Sequence, residues 1–400
     1  MTVELIKSTR SFAQLQIVWD AIIIGAGAAG AFAAVHLAGG KKILLLDKSQ
    51  FPRAKVCGCC LNASAYSALE RAGLGEILEE SDALPLTTLE LHHGSTESLI
   101  NLPAGGHALS RNFLDAFLIR KAVSKGADFV CGLTAKVLPQ PDSDLVTIEV
   151  SASDFCATIE TNLVIVADGL NGHSLDRIER FAVHVEKDAR FGCGAIVGGA
   201  ESFENGRVYM CCHPAGYVGL VALEDGRYDI AAALDKEFSK ECGGPAKAAE
   251  AIFAHCQVSL PSGFSEAVWQ GTEALTRKRD HVAGHRIFVI GDACGYPEPF
   301  TGEGIAWALR SAEALAPLAQ AAMDQWRQEH VAVWQRRHYN LIGARHKRSK
   351  LIAYSLRNGV VFKAALTVLT KFPLLSKNLV AKLTGAQAVN RIKSSEEIHC

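Results

Sequence analysis

DAIIIGAGAAGAFAAVHLAGGKKILLLD, residues Asp20–Asp47, decides the fold. Asp20–Ile24 is a short apolar run that stops at glycine, as a strand buried on both faces does. Gly30–Ala38 is Ala-rich and reads as a helix, and Lys42–Leu46 is a second buried strand closed by Asp47. Strand, turn, helix and strand thus fit within thirty residues. The turn carries Gly25-Ala26-Gly27-Ala28-Ala29-Gly30, a GxGxxG between strand and helix, with an acid 17 residues beyond Gly30. That context makes it a dinucleotide-binding unit. Gly25 permits the tight turn, Gly27 lets backbone approach a pyrophosphate, and Gly30 lets helix and strand pack closely. The amides opening the helix, at Ala28 and Ala29, face the phosphate charge. Asp47, with Lys48 beside it, is placed for the adenosine ribose.

Outward from this unit, Leu163–Ala167 and Ile287–Ile290 are further buried-strand candidates, and Ser64–Leu78 and Asn112–Lys125 read as helices. The middle differs. Arg207–Cys212, Tyr217–Leu223 and Tyr228–Ala232 are separated by turn signals, with Asp225-Gly226 marking a hairpin. The fold class is α/β (α+β): a Rossmann-type cofactor domain, an inserted antiparallel-sheet substrate domain and a C-terminal helical region. The cofactor domain is discontinuous, over 15–85, 105–180 and 270–330. The substrate domain takes 86–104 and 181–269, and the helical region 331–400.

Four hundred residues with 49% hydrophobic and 21% charged side chains bury a large core across about two domains. A net charge of -1 gives no general attraction to nucleic acid, and no nucleic-acid partner is expected. Twelve scattered cysteines, no leader-like start and no apolar run of ~18–20 residues indicate a reduced, cytoplasmic protein.

Four later segments separate the cofactors. Phe51-Pro52-Arg53-Ala54-Lys55-Val56-Cys57-Gly58 resembles the FPRxKxCG loop of geranylgeranyl-reductase-like flavoproteins, relatives of flavin-dependent halogenases and of the p-hydroxybenzoate hydroxylase fold. Arg111 and Asp115 are similar to that family's R-x-x-L-D helix, and Ala167-Asp168-Gly169 through Ser174 to its ADGxxS segment, lengthened before the serine. Gly291-Asp292-Ala293 with Pro299-Phe300-Thr301-Gly302-Glu303-Gly304-Ile305 resembles its GDA…PxTGEGI signature. The resemblance implies FAD, with Arg53, Arg111, Asp168, Gly169 and Asp292 around the cofactor. A helix opening at Thr301–Ile305 offers its free N–H groups to a reduced flavin, and Glu303 is read as a helix-start residue.

The family resemblance also places Cys57, with Gly58, beside the flavin, making Cys57 the first catalytic candidate against a purely packing role. His213 and Tyr217, in the sheet, are acid–base or substrate candidates. The cluster Cys57-Gly58-Cys59-Cys60 lacks a matching second ligand pair, so no metal is expected, and a redox disulfide is set aside. Val208–Gly219 reads VYMCCHPAGYVG, without the halogenases' WxWxIP or the reductases' YxWxFP. No second GxGxxG exists, so the electron donor is a transiently bound NAD(P)H or another protein.

These residues imply an FAD oxidoreductase acting on a hydrophobic or aromatic small molecule by hydride transfer through flavin N5. An FAD monooxygenase using NAD(P)H and O2 is the second reading, and a non-catalytic flavin electron carrier the third. Leu341–Lys393 holds eleven Lys and Arg and no acid among apolar runs. A helical cap over the cavity is favoured there over membrane or carrier-protein contact.

Overall fold

The computed structural model describes residues 4–102, 105–139, 143–199, 203–298, 300–343 and 353–371. Its core is a six-stranded sheet ordered Ala283–Gly284, Ile287–Val289, Val164–Val166, Ala21–Ile24, Ile43–Asp47 and Asp128–Cys131. All neighbours run parallel except the first pair. Every residue of the strands Ala21–Ile24 and Ile43–Asp47 is buried, which explains their unbroken aliphatic sequence. The helix Ala28–Leu37 crosses between them and packs on the helices Arg111–Ser124 and Gly304–Asp324. Only His36 of its ten residues escapes full burial. Its alanines follow from that crowding: a helix enclosed on several sides has no outward face for large or polar groups. Truncating a buried strand residue such as Ile23 to alanine would cost about 2–5 kcal/mol.

The second large sheet has seven strands: Gln270–Ala274, Phe191–Val197, Tyr228–Leu234, Gly216–Ala222, Arg207–His213, Thr88–His93 and Thr96–Asn101. Its pairings are antiparallel, with one exception. Arg207–His213 runs parallel to Thr88–His93, because that hairpin arrives from earlier in the chain. Gly226 takes φ +79° in the expected turn at Asp225-Gly226. Side chains alternate across this sheet. Cys211, Val218, Leu220 and Ile230 face the helix Pro245–His255, while Met210, Tyr217 and Ala233 face the other way. That other face looks onto the cofactor-side sheet.

Three sequence expectations need correction. Ser64–Leu78 is two helices, Ala63–Arg71 and Ile77–Ser81, divided where Gly73 adopts φ +72°. A four-stranded sheet of Val18–Trp19, Phe155–Thr161, Val146–Ala152 and Thr134–Val137 went unread. Gln270–Ala274 pairs with Phe191–Val197, so the large sheet continues past residue 269. Beyond the helix Gly304–Asp324, the chain continues as Glu329–His338, a π turn at Tyr339–Gly343, a short helix over 353–357 and the helix Gly359–Lys371. No helix among the described residues is long and apolar enough to cross a membrane. Lys347, Arg348 and Lys350 lie outside the described residues, as do 372–393, so most of the basic C-terminal stretch does too.

Candidate active site

A cavity of about 810 Å³ lies between the two sheets. Its first limb is built on the GxGxxG turn. A Cβ at Gly25 would sit 2.4 Å from the Ala167 carbonyl oxygen, and one at Gly30 would sit 1.8 Å from that of Gly25. Neither position admits a side chain. Gly27 differs: the nearest atoms to its added Cβ are Arg111 Nη2 at 3.4 Å, Arg53 Nη2 at 3.6 Å and Asp115 Oδ2 at 4.0 Å. The space in front of Gly27 is therefore a cradle edged by two guanidinium groups at the start of a helix. Asp47, closing the next strand, accepts hydrogen bonds from Ala26 N (2.8 Å) and Ser49 N (2.8 Å), which fixes its carboxylate at the cradle's rim.

Arg111 is held by a bidentate bond to Asp115 one helical turn on, at 2.7–3.0 Å, and Asp115 is fully buried. Arg53 lies 4.0 Å from Asp47 and 3.9 Å from Asp115. Two buried polar atoms of residues lining this limb, Arg53 Nε and Asp168 Oδ1, have no hydrogen-bond partner among the described residues. Open space before Gly27, clustered cations and unmet polar atoms fit the diphosphate and hydroxyls of a dinucleotide. Burial raises the Asp168 carboxyl above its ordinary range.

Gly25, Gly27, Ala28, Ala29, Asp47, Lys48, Arg53, Cys57, Gly58, Arg111, Asp168, Gly169, Asp292, Thr301, Gly302, Gly304 and Ile305 all line the cavity. Gly30, Gly291 and Glu303 stand behind it. Gly291, at φ +62°, leaves room for Ala29, whose Cβ would lie 2.8 Å from any Cβ added there. Glu303 is the N-cap of Gly304–Asp324 and accepts from the Thr301 hydroxyl at 3.2 Å. Pro299 lies outside the described residues.

The middle of the cavity gathers Lys55, Cys57, Cys59, Cys60, Asp229 and Tyr296. The neighbouring Cys59 brings Cys57 down to about 6 against the opposing effect of burial, and Arg111 and Lys55 add their charge. Lys55 lies 3.9 Å from Asp292 and is itself lowered by burial and then by Arg111. Asp229, buried on the strand Tyr228–Leu234, is raised well above the carboxylate range by burial and then by Cys57. Sequence reading missed Asp229. The available signal was a lone acid inside the apolar run YDIAAAL, where a charge is costly unless it serves something.

The far limb is apolar, lined by Leu89, Leu91, Ile100, Met210, Phe300 and Phe362. Tyr217 lines it with a buried hydroxyl that has no partner among the described residues. Phe300 meets the Tyr217 ring edge-on, with centroids 5.1 Å apart. His213 is a correction. It falls on the opposite face of its strand from Val208 and Met210, stacks on Phe238, and accepts from Ala215 N at 3.1 Å. It does not reach the cavity.

Behind Tyr217 lies Arg190, which is fully buried. It donates to Glu298 at 2.7 Å, Asp235 at 3.2 Å and the Pro214 carbonyl at 2.6 Å. Arg357, on the C-terminal cap, donates to the same Asp235 at 3.1 Å. Ser355, Phe362 and Ala365 of the cap line the cavity, so this part of the C-terminal region covers it.

Known proteins resemble the chain over most of its length. Menaquinone reductase of Mycolicibacterium smegmatis is 25% identical over 327 residues, covering 75% of this chain and 76% of that one. Digeranylgeranylglycerophospholipid reductase 1 of Methanothermobacter thermautotrophicus is 25% identical over 324 residues, covering 76% and 78%. The crystal structure of a flavoprotein/dehydrogenase from Cytophaga hutchinsonii superposes with TM-score 0.79 at 16% identity, covering 92% and 93%. The family model described as FAD binding domain matches residues 19–331, and the chain belongs to that family of FAD-dependent oxidoreductases.

Proposed function

We propose that the protein reduces a carbon–carbon double bond in a long apolar substrate, with Cys57 as the group that handles the proton. The observation carrying this reading is the shared cavity. One limb is shaped for a dinucleotide, the other is walled by aliphatic and aromatic side chains, and Cys57 stands between them. The two similar proteins are named for menaquinone and for a digeranylgeranylglycerophospholipid, both molecules with long unsaturated chains. FAD, when bound, supplies the two electrons as hydride. Arg53 and Arg111 would hold its diphosphate, Asp47 its ribose, and Asp168 and Asp292 the hydroxyls nearer the ring. The apolar limb orients the substrate and excludes water. Cys57 Sγ gives a proton to one carbon of the double bond while the other receives hydride. Its low affinity for protons makes it a ready acid once protonated.

The test replaces Cys57 by serine. FAD content should be retained while turnover of an unsaturated prenyl lipid under anaerobic conditions falls about 100-fold, the usual scale for losing a general acid. Turnover that requires O2 would overturn the reading in favour of a monooxygenase. A second measurement needs no substrate. Alkylation of Cys57 by iodoacetamide, followed by peptide mass spectrometry, should rise with pH to a midpoint near about 6 and then level, because only the thiolate reacts.

A further inference from the structure

Among the described residues through which the seven-stranded sheet lines the cavity, Asp229 alone is an acid. Its strand turns Tyr228, Ile230, Ala232 and Leu234 toward the helix Pro245–His255, so Asp229 falls on the other face. Its partners across the sheet are Ile196 on one side and Val221 on the other, both aliphatic. The side chain is 4% exposed, and its Oδ2 has no hydrogen-bond partner among the described residues. Three cations of the same cavity face other acids: Arg111 pairs with Asp115, Lys55 lies near Asp292, and Arg53 lies near Asp47 and Asp115. A carboxylate left alone among aliphatic side chains is costly, and taking up a proton removes that cost. Burial and then Cys57 accordingly raise the Asp229 carboxyl well above its usual range, against the smaller opposing effect of Cys59. A neutral carboxyl in an apolar wall has one O–H to donate, and the wall offers it no acceptor.

We propose that Asp229 is a substrate-binding residue whose carboxyl O–H holds a carbonyl oxygen of the ligand. This deepens the reductase reading and rests on it for the ligand's long apolar chain: the substrate is not a plain hydrocarbon but bears a carbonyl. A carbonyl suits the position better than a hydroxyl, because it brings no hydrogen of its own to be satisfied. Ala231, two residues on along the same strand, also lines the cavity and leaves the space that such a group needs. Flavin has carbonyls too, but Gly27, Asp47, Arg53 and Arg111, which frame the dinucleotide limb, all lie outside this sheet. Asp229 belongs to the wall that meets the other ligand.

The experiment measures binding to oxidised, full-length, FAD-loaded protein, with no reductant present, from the change in flavin absorbance. The probes are farnesylacetone, a prenyl ketone, and the hydrocarbon in which a methylene replaces its carbonyl. The ketone should bind about tenfold more tightly, the worth of one hydrogen bond. Asp229→Leu should abolish that preference, and Asp229→Asn, which keeps an N–H donor, should retain most of it. In infrared difference spectra of the unaltered protein, a carboxylic C=O band should move when the ketone binds and stay in place with the hydrocarbon. Its absence from Asp229→Asn assigns the band. Equal affinity for the two probes would overturn the proposal, as would a preference that survives Asp229→Leu. If ligand-free Asp229→Leu shifts the flavin spectrum and keeps the preference, the bond belongs to the flavin and the proposal falls. If Asp229→Leu loses FAD, the infrared band of the unaltered protein decides alone, and a band that does not move sinks the idea. Nothing is reduced in these measurements, so their failure leaves the reductase reading to its own anaerobic assay.

Discussion

The two large sheets serve one cavity by opposite means. The parallel sheet presents backbone: its cradle exists because Gly27 puts nothing there, while Gly25 and Gly30 let strand, turn and helix pack tightly around it. The seven-stranded sheet presents side chains, with Ala231 and Ala233 leaving room between Tyr217 and Asp229. A surface made of backbone tolerates few changes and suits a constant ligand. One made of side chains can be reshaped residue by residue, and suits a ligand that varies.

Breaking the first surface should have the largest effect. Gly27→Arg puts bulk and a third positive charge beside Arg53 and Arg111, and FAD affinity should fall by about 100-fold or more, a cost near 3 kcal/mol. Colourless purified protein with a normal circular dichroism spectrum is the expected result. A fully yellow variant would mean that this loop does not hold the diphosphate.

Reshaping the second surface should do less and leave FAD alone. Ala231→Leu adds three carbons to the cavity floor. It should raise KM for a prenyl substrate about tenfold, within the range that single methylenes command in apolar pockets, while flavin absorbance stays unchanged. Loss of flavin in this variant would erase the distinction between the two sheets.

The smallest change removes one oxygen. Tyr217→Phe deletes a buried hydroxyl without a protein partner, so thermal stability should hold or rise slightly. If that hydroxyl meets a polar group of the substrate, kcat/KM should drop about fivefold, the worth of one ordinary hydrogen bond. Equal activity would make the limb purely apolar.

The same contrast governs what the sequence reveals. The cofactor side is legible because backbone-shaped sites need glycine at fixed intervals, and fixed intervals can be read along a chain. Gly25, Gly27, Gly30, Asp47 and the stretch Thr301–Ile305 are all local signals. The substrate side is assembled across strands. His213 and Tyr217 are four residues apart on neighbouring strands, yet only Tyr217 faces the cavity. Which face a residue takes depends on register, and that is set by pairing with the hairpin neighbour Tyr228–Leu234 and with Thr88–His93 more than a hundred residues earlier. Asp229 is marked only as a lone acid in an apolar run, and its facing depends on the same pairing.

Asp235 sits between Arg190 and Arg357, and the arrangement decides how the molecule can open. Were the cap to swing outward, Arg357 would enter water and Asp235 would keep its bond to Arg190. No acid would be stranded, so on this account the latch releases for the cost of a partly exposed ion pair, about 0–1 kcal/mol. Pulling Arg190 from its place would instead leave the buried Glu298 alone, at about 3–5 kcal/mol. Of the two ion pairs on Asp235 and Glu298, the one that reaches the cap is therefore the weaker, and the loop that leads to Thr301 is held by the stronger.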